Sequence, residues 1–196
     1  MMQIKATALL LFIAMDSPGN LPIFISALQH LEPKRRWRVI LREMLFALLI
    51  LLLFLFSGEA LLKLLNLRLE TLAISGGLIL FLVALRMIFP QPNGALGLPK
   101  DEEPFLVPLA MPLIVGPSVL AIVLQQAASY PQHLSQLTSA ILYAWATSLL
   151  VLLVGNSCSR WLGKKGLSVL ERLMGLILLM ISIQMMIDGV RTCYMG

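Results

Sequence analysis

Six apolar runs of about 20 residues dominate this 196-residue chain. The hydrocarbon core of a bilayer is about 30 Å thick, and an α-helix needs about 20 apolar residues to cross it. The runs extend over residues 4–28, 44–62, 69–89, 105–128, 137–154 and 167–187. They are rich in Leu and Ile and lack the alternation of a lipid-facing β-barrel, so they predict an all-α protein with six transmembrane helices.

The composition supports lipid as the solvent of this chain. Apolar residues make up 59% of the sequence and charged residues only 13%, whereas a soluble domain has about a quarter charged residues. The net charge of +5 does not indicate nucleic acid binding, because no polar domain is present to carry a basic patch. We therefore expect the outer surface of the protein to contact the lipid bilayer.

Lys and Arg are distributed unequally between the two sides of the predicted membrane domain. One side has Lys34, Arg35, Arg36, Arg38, Arg42, Arg86, Lys100, Arg160, Lys164, Lys165 and Arg172. The other side has only Lys5, Lys63, Arg68 and Arg191. Because short cytoplasmic loops hold the excess of basic residues, we expect both termini on the outer, periplasmic side.

Residues typical of metal sites and enzymes are few and scattered. Cys158 and Cys193 fall at opposite faces of the membrane, and so do His30 and His133. The sequence has no HExxH, GxSxG or phosphate-loop motif. We therefore expect neither a metal, nor a cofactor, nor an enzymatic activity.

An internal repeat appears when the chain is shifted by half its length. An offset of 98 residues places residues 77–80 on 175–178, 18–20 on 116–118 and 57–58 on 155–156. Three spans separate equivalent positions, and three is odd, so the second copy enters the membrane from the opposite side. Residues 1–98 and 99–196 are thus predicted to be inverted three-helix repeats, as in many secondary transporters.

The aligned motifs predict a break in the first and the fourth helix. Pro18-Gly19 and Gly116-Pro117 lie near the middle of their spans, where proline removes a backbone donor and glycine loosens a helix. Asn20 and Ser118 follow as candidate N-caps of new half-helices. Breaks at the bilayer midplane must be buried or line a cavity. A pair of proline kinks that only shape helix packing is the alternative interpretation.

Asp16 lies beside the first break, where a carboxylate at the centre of a span is energetically costly. Two roles are open and compatible with each other. The side chain can accept hydrogen bonds from loose backbone amides, or it can bind a substrate or a coupling proton.

A family resemblance rests on these same segments. They are residues 15–22 (MDSPGNLP), 102–105 (EEPF), 108–117 (PLAMPLIVGP) and 171–175 (ERLMG). Together they resemble the MarC family over essentially the whole chain. The resemblance implies a bacterial inner-membrane protein of the same broad group as the LysE-type amino acid exporters. Some relatives of the family are described as transporters of small neutral amino acids. This chain departs from the family pattern at Ser17-Pro18, where the family usually has proline directly after the aspartate.

The sequence therefore predicts a secondary transporter that exports small neutral amino acids. The predicted substrate is a zwitterion, bound between the two broken helices. The predicted site comprises Asp16, Ser17, Pro18, Gly19, Asn20, Pro112, Gly116, Pro117 and Ser118, with Asp16 also proposed for proton coupling. A proton-coupled importer and a non-transporting membrane scaffold are the alternatives, with an intramembrane enzyme third. The sequence leaves the coupling ion and the oligomeric state open.

Overall fold

The computed structural model describes residues 4–28, 31–64, 66, 68–89, 109–158 and 163–195. Over these residues the protein is all helical, as the sequence predicts. The helices are α1 (Ile4–Met15), α2 (Ser17–Leu28), α3 (Pro33–Leu64), α4 (Leu69–Ile88), α5 (Pro117–Ser129), α6 (Leu134–Cys158) and α7 (Gly163–Met195). A widened helical turn, Leu109–Ile114, precedes α5. The predicted loop with Lys100, and the start of the fourth run at Phe105, lie outside the described residues.

Helix length and composition fit a membrane domain. In the described part of the chain, five helical stretches are long and apolar enough to cross a bilayer: Ile4–Ile25, Lys34–Leu64, Glu70–Ile88, Pro131–Ser157 and Arg172–Cys193. The apolar helix Pro117–Ser129 is shorter. On α3, Leu45, Leu49 and Leu53 form an exposed stripe. Large apolar side chains exposed every fourth residue mark a face that lipid would cover.

Helix α3 is longer than its apolar run. It begins at Pro33, whereas the run begins near residue 44, so about three turns precede the run. Proline is well suited to the first turn of a helix because that position has no hydrogen bond to lose. These added turns carry the basic residues that the sequence places at the membrane surface.

Contacts between the two halves of the chain occur in matching pairs. Helix α4 packs along α7, and α3 packs on α6. Helices α1 and α2 pack on α6, while the segment Leu109–Ile114 and α5 pack on α3. Likewise α2 contacts α7, and α5 contacts α4. If each helix is replaced by its counterpart in the other predicted half, each contact named here becomes another contact named here or stays the same.

Both predicted breaks are present, but the half-helices start earlier than the sequence analysis placed them. Asp16, with φ 42°, is the single residue between α1 and α2. In the second break Met111 leaves helical geometry (φ −133°, ψ 129°). The Met111–Pro112 peptide bond is cis.

The predicted helix starts at Asn20 and Ser118 are wrong. Helix α2 begins at Ser17 and α5 at Pro117, because proline fits the first turn of a helix and therefore marks its start. Pro18 and Pro117 occupy such first-turn positions. Pro22 lies inside α2, beyond its first turn.

Candidate functional site

The first break is organised around Asp16. Its Oδ1 accepts a hydrogen bond of 3.2 Å from the amide of Gly19, and its backbone oxygen accepts one of 2.9 Å from the amide of Asn20. Asp16 is therefore the N-cap of α2, a position that Asp favours. A side chain at position 19 would collide with the Asp16 carboxylate. Glycine at 19 thus lets the carboxylate fold back over the helix end.

The second break ends in a helix start that no side chain caps. Gly116 is the N-cap of α5, has extended geometry (φ −79°, ψ 168°) and offers no side chain to accept a hydrogen bond. The amide of Leu120 donates to Gly116 O at 3.1 Å. The preceding amides of Ser118 and Val119 have no acceptor within the helix. Pro117 has no amide hydrogen, so two donors remain available at this end.

Asn20 connects the two breaks and is not the N-cap of α2. Its Nδ2 donates to Met15 O at the end of α1 and to Leu113 O in the second break, both at 3.0 Å. The side chain is buried, with 9% of the residue exposed. The predicted N-cap role of Asn20 is therefore wrong, because the residue lies in the second turn of α2 and its side chain turns back to the two broken ends.

A cavity of about 470 Å³ lies where the two breaks meet. Six predicted site residues line it: Asp16, Asn20, Pro112, Gly116, Pro117 and Ser118. The other three predicted residues do not. Ser17 is fully buried, and Pro18 and Gly19 are exposed outside the cavity lining.

From the breaks, the cavity extends between α4 and α7. Glu70 and Ala73 of α4 line it, together with Asp188 and Thr192 near the end of α7. Gln184 Nε2 donates to Asp188 Oδ1 at 2.8 Å. No Lys, Arg or His is among the described residues that line the cavity, so its polar side chains are mostly acceptors.

The predicted site did not include Glu70, Asp188 or Thr192. Helical spacing could have found them. Residues 181, 185, 188 and 192 recur at intervals of three or four and share one face of α7. Which neighbour that face meets is a tertiary property, and the sequence does not encode it locally. No group of three or more His, Cys, Asp or Glu suited to a metal occurs in the described ranges.

Comparison with known proteins decides the family. Residues 1–194 match the family model described as "MarC family integral membrane protein". The chain belongs to the MarC family. It is 51% identical to the UPF0056 inner membrane protein YhgN of Escherichia coli (strain K12), over the full length of both chains.

Two further relatives have lower identity. A UPF0056 membrane protein of Buchnera aphidicola subsp. Baizongia pistaciae is 49% identical over 99% of each chain. One from Chlamydia pneumoniae is 37% identical over 95% of this chain and 93% of the relative. No solved structure matches.

Membership in the MarC family confirms the resemblance predicted from the two break motifs. With its long apolar helices, this member is embedded in a membrane. The names of the three relatives above state a membrane location and give no substrate. The function must therefore be argued from the site.

Proposed function

We propose that this MarC protein is an inner-membrane secondary transporter of small neutral amino acids, which it binds between its two broken helices. The observation that carries the proposal is the cavity of about 470 Å³ that both breaks line. Small-molecule sites span about 300–1,000 Å³, so this volume suits a small solute with some water. A membrane scaffold could use the same breaks to shape its packing but would not need a cavity that reaches Asp16.

The carboxylate of the substrate would bind at the start of α5. The unpaired amides of Ser118 and Val119 and the positive end of the helix favour an anionic group there. Gly116 leaves the approach clear because it has no side chain, and both Gly116 and Ser118 line the cavity. The start of α2 is different, since Asp16 already accepts from Gly19. The two half-helices therefore have unequal roles in this proposal.

The ammonium group of the substrate would bind at Asp16. Oδ1 of this residue accepts from Gly19, while Oδ2 has no protein donor among the described residues and can accept from a ligand. Glu70 and Asp188 add acidic character toward the far end of the cavity. A simple anion would face these carboxylates without a compensating positive charge, so the lining favours zwitterions over phosphate-like solutes.

In this proposal the solute would reach the site from one side of the membrane. The cavity extends toward the C-terminal end of α7, where Asp188 and Thr192 lie. The distribution of basic residues assigns this end to the outer face, so the conformation would be outward-facing. The matching contacts between the halves of the chain support two inverted repeats, the arrangement that alternating access uses in many transporters. The resemblance to the MarC family implies a relation to LysE-type exporters, and this implied relation favours export as the direction.

Flux across liposomes tests this proposal. Purified protein is reconstituted into liposomes and supplied with a panel of radiolabelled solutes. It should transport glycine, alanine or serine faster than lysine, glutamate or phosphate. Ser118→Leu, which places a bulky apolar side chain at the start of α5, should abolish flux. Ser75→Ala serves as the control, because Ser75 is exposed and donates only to Leu72 O of its own helix. Absence of flux for every amino acid in a folded, oriented preparation would reject the transport function.

A further inference from the structure

A second cavity, which shares no lining residue with the cavity between the breaks, lies where α1 packs on α6. It measures about 590 Å³ and is called the lateral groove below. Ala8 and Ala144 have short side chains, so a trough remains between the longer side chains of Phe12 and Tyr143. The lateral groove is lined by Ile4, Lys5, Ala8, Leu9, Phe12, Tyr143, Ala144 and Thr147.

The lateral groove runs from the membrane surface toward the bilayer centre. Lys5 precedes Asp16 by eleven residues, which is about 16 Å along a helix, and half the hydrocarbon core is about 15 Å thick. With the first break at the midplane, Lys5 lies at the level of the lipid headgroups. Phe12 lies about 10 Å deeper. The groove therefore has the length and direction of part of an acyl chain.

The charge of Lys5 is not neutralised by the helices that form the groove. Helices α1 and α6 contain no Asp, Glu or Arg, and Lys5 is their only Lys. Lys5 is exposed and forms no ion pair with any residue that the structure describes. A basic side chain at the headgroup level attracts anionic lipids. The groove thus combines one uncompensated cation with an apolar trough.

Tyr143 adds a second polar group to the groove. Ser148 Oγ donates to Met15 Sδ at 3.5 Å, so Tyr143, five residues before Ser148, lies about 7 Å nearer the surface where α1 begins. Side chains of a helix lean toward its N-terminus, and α6 begins on the same side as α1. The phenol, with 66% of the residue exposed, therefore extends toward the headgroups. Its hydroxyl makes no hydrogen bond within the described part of the chain.

We propose that the lateral groove binds one anionic phospholipid from the leaflet that α1 enters. The phosphate lies at Lys5, one acyl chain follows the trough past Ala8 to Phe12, and a glycerol ester carbonyl accepts a hydrogen bond from Tyr143. A zwitterionic headgroup binds less well, because no lining residue is acidic and its ammonium group finds no partner. A free phosphate lacks the acyl chain that the trough would cover. This site is independent of the proposed transport function.

Native mass spectrometry of the purified protein tests the headgroup preference. The protein in detergent is equilibrated with equimolar phosphatidylglycerol and phosphatidylcholine that have identical acyl chains, and the two one-lipid complexes are compared. One lysine at the headgroup level predicts about fivefold enrichment of phosphatidylglycerol. Lys5→Gln should lower the ratio to about one. Lys63→Gln removes the same charge from a lysine that is already paired with Glu59, so it should keep the enrichment.

Two further variants test whether the lipid lies in the lateral groove. In Ala8→Phe a ring fills the trough, so bound lipid of either type should be lost. Leu10→Phe is the control, because Leu10 is an exposed position of α1 outside the groove. Tyr143→Phe should weaken both lipids about threefold, as expected for one neutral hydrogen bond, and leave their ratio unchanged. If Ala8→Phe does not accumulate, cross-links from a photoactivatable phosphatidylglycerol should fall on α1 and α6.

Several results would overturn the lipid site. Equal binding of the two lipids, or equal ratios in Lys5→Gln and Lys63→Gln, would show that Lys5 does not select the headgroup. Lipid retained by Ala8→Phe at the level of Leu10→Phe, or cross-links only on other helices, would place the lipid outside the groove. A dimer that Ala8→Phe converts to a monomer would show that a second copy of the chain covers the groove.

Discussion

At the residue scale, Asp16 occupies a position that is compatible with both roles that the sequence left open. Its carboxylate caps α2 through Gly19, and the same side chain lines the cavity. The capping role is visible in the geometry of the break. The role of the Asp16 charge in binding a substrate or a proton stays a prediction. A substitution that removes the charge but keeps the shape of the side chain tests it.

We expect Asp16→Asn to fold normally and to lose proton dependence of transport. Asn is as good an N-cap as Asp, so α2 keeps its start, but the neutral amide can neither carry a proton nor pair with an ammonium. Hydrogen bonds to charged groups contribute about 1.5–3 kcal/mol, so substrate affinity should fall roughly 10–100-fold. The measurement is flux in liposomes as a function of pH. Full pH dependence in the mutant would remove Asp16 from the coupling role.

Glu59→Gln provides the matched control for this charge removal. Glu59 is exposed, pairs with Lys63 one turn later on α3 and does not line the cavity between the breaks. Exposed pairs of this kind contribute little to stability. Flux and its pH dependence should therefore match those of the unmodified protein.

At the element scale, the sequence predicted the existence of both breaks but placed the half-helix starts too late. Proline and glycine in matching motifs located the breaks to within a few residues. Pro18 and Pro117 belong to first turns, so each half-helix starts at its proline or one residue before it. The bond from Asn20 to Leu113 joins residues 93 positions apart. No local pattern could have predicted that partner.

The packing of α4 on α7 gives a prediction about stability. A Cβ atom at Gly77 would lie 2.9 Å from the backbone oxygen of Ser182, and one at Gly175 would lie 3.2 Å from the backbone amide of Ile88. Backbone cannot move aside as a flexible side chain can. Gly77→Ala should therefore push the helices apart and destabilise the protein by about 1–3 kcal/mol.

Thermal unfolding in detergent measures this effect. The control is Ser75→Ala, a neighbouring exposed position on α4, where surface substitutions usually change stability by less than about 0.5 kcal/mol. A melting temperature of Gly77→Ala equal to that of Ser75→Ala would show that α4 and α7 are not held at this close distance in the membrane.

At the scale of the whole molecule, the apolar runs and break motifs were sufficient to predict the helical membrane fold and the family. They could not predict that the cavity extends between α4 and α7, because both repeats carry similar motifs and this asymmetry arises in packing. Glu70 and Thr192 enter the cavity only once α4 and α7 are placed together. The inverted relation of the halves is still a prediction that the matching contacts support.

Orientation in the membrane is tested by cysteine labelling. A membrane-impermeant thiol reagent applied outside spheroplasts should modify Cys193, which is exposed near the C-terminus, and should not modify Cys158. The reason is the excess of basic residues on the side assigned to the cytoplasm. Labelling of Cys158 alone would reverse the topology, and a C-terminal tag detected only after permeabilisation would do the same.

The central claim is that one zwitterion binds between the two breaks, its carboxylate at the start of α5 and its ammonium at Asp16. The most direct measurement is equilibrium binding of a transported neutral amino acid and of its methyl ester to purified protein, for example by calorimetry. The ester keeps the ammonium but lacks the anionic group that the free amides of α5 would bind. Charge-assisted hydrogen bonds of about 1.5–3 kcal/mol predict that the ester binds at least about tenfold more weakly. Equal affinity for the ester and the free amino acid would contradict the proposed site.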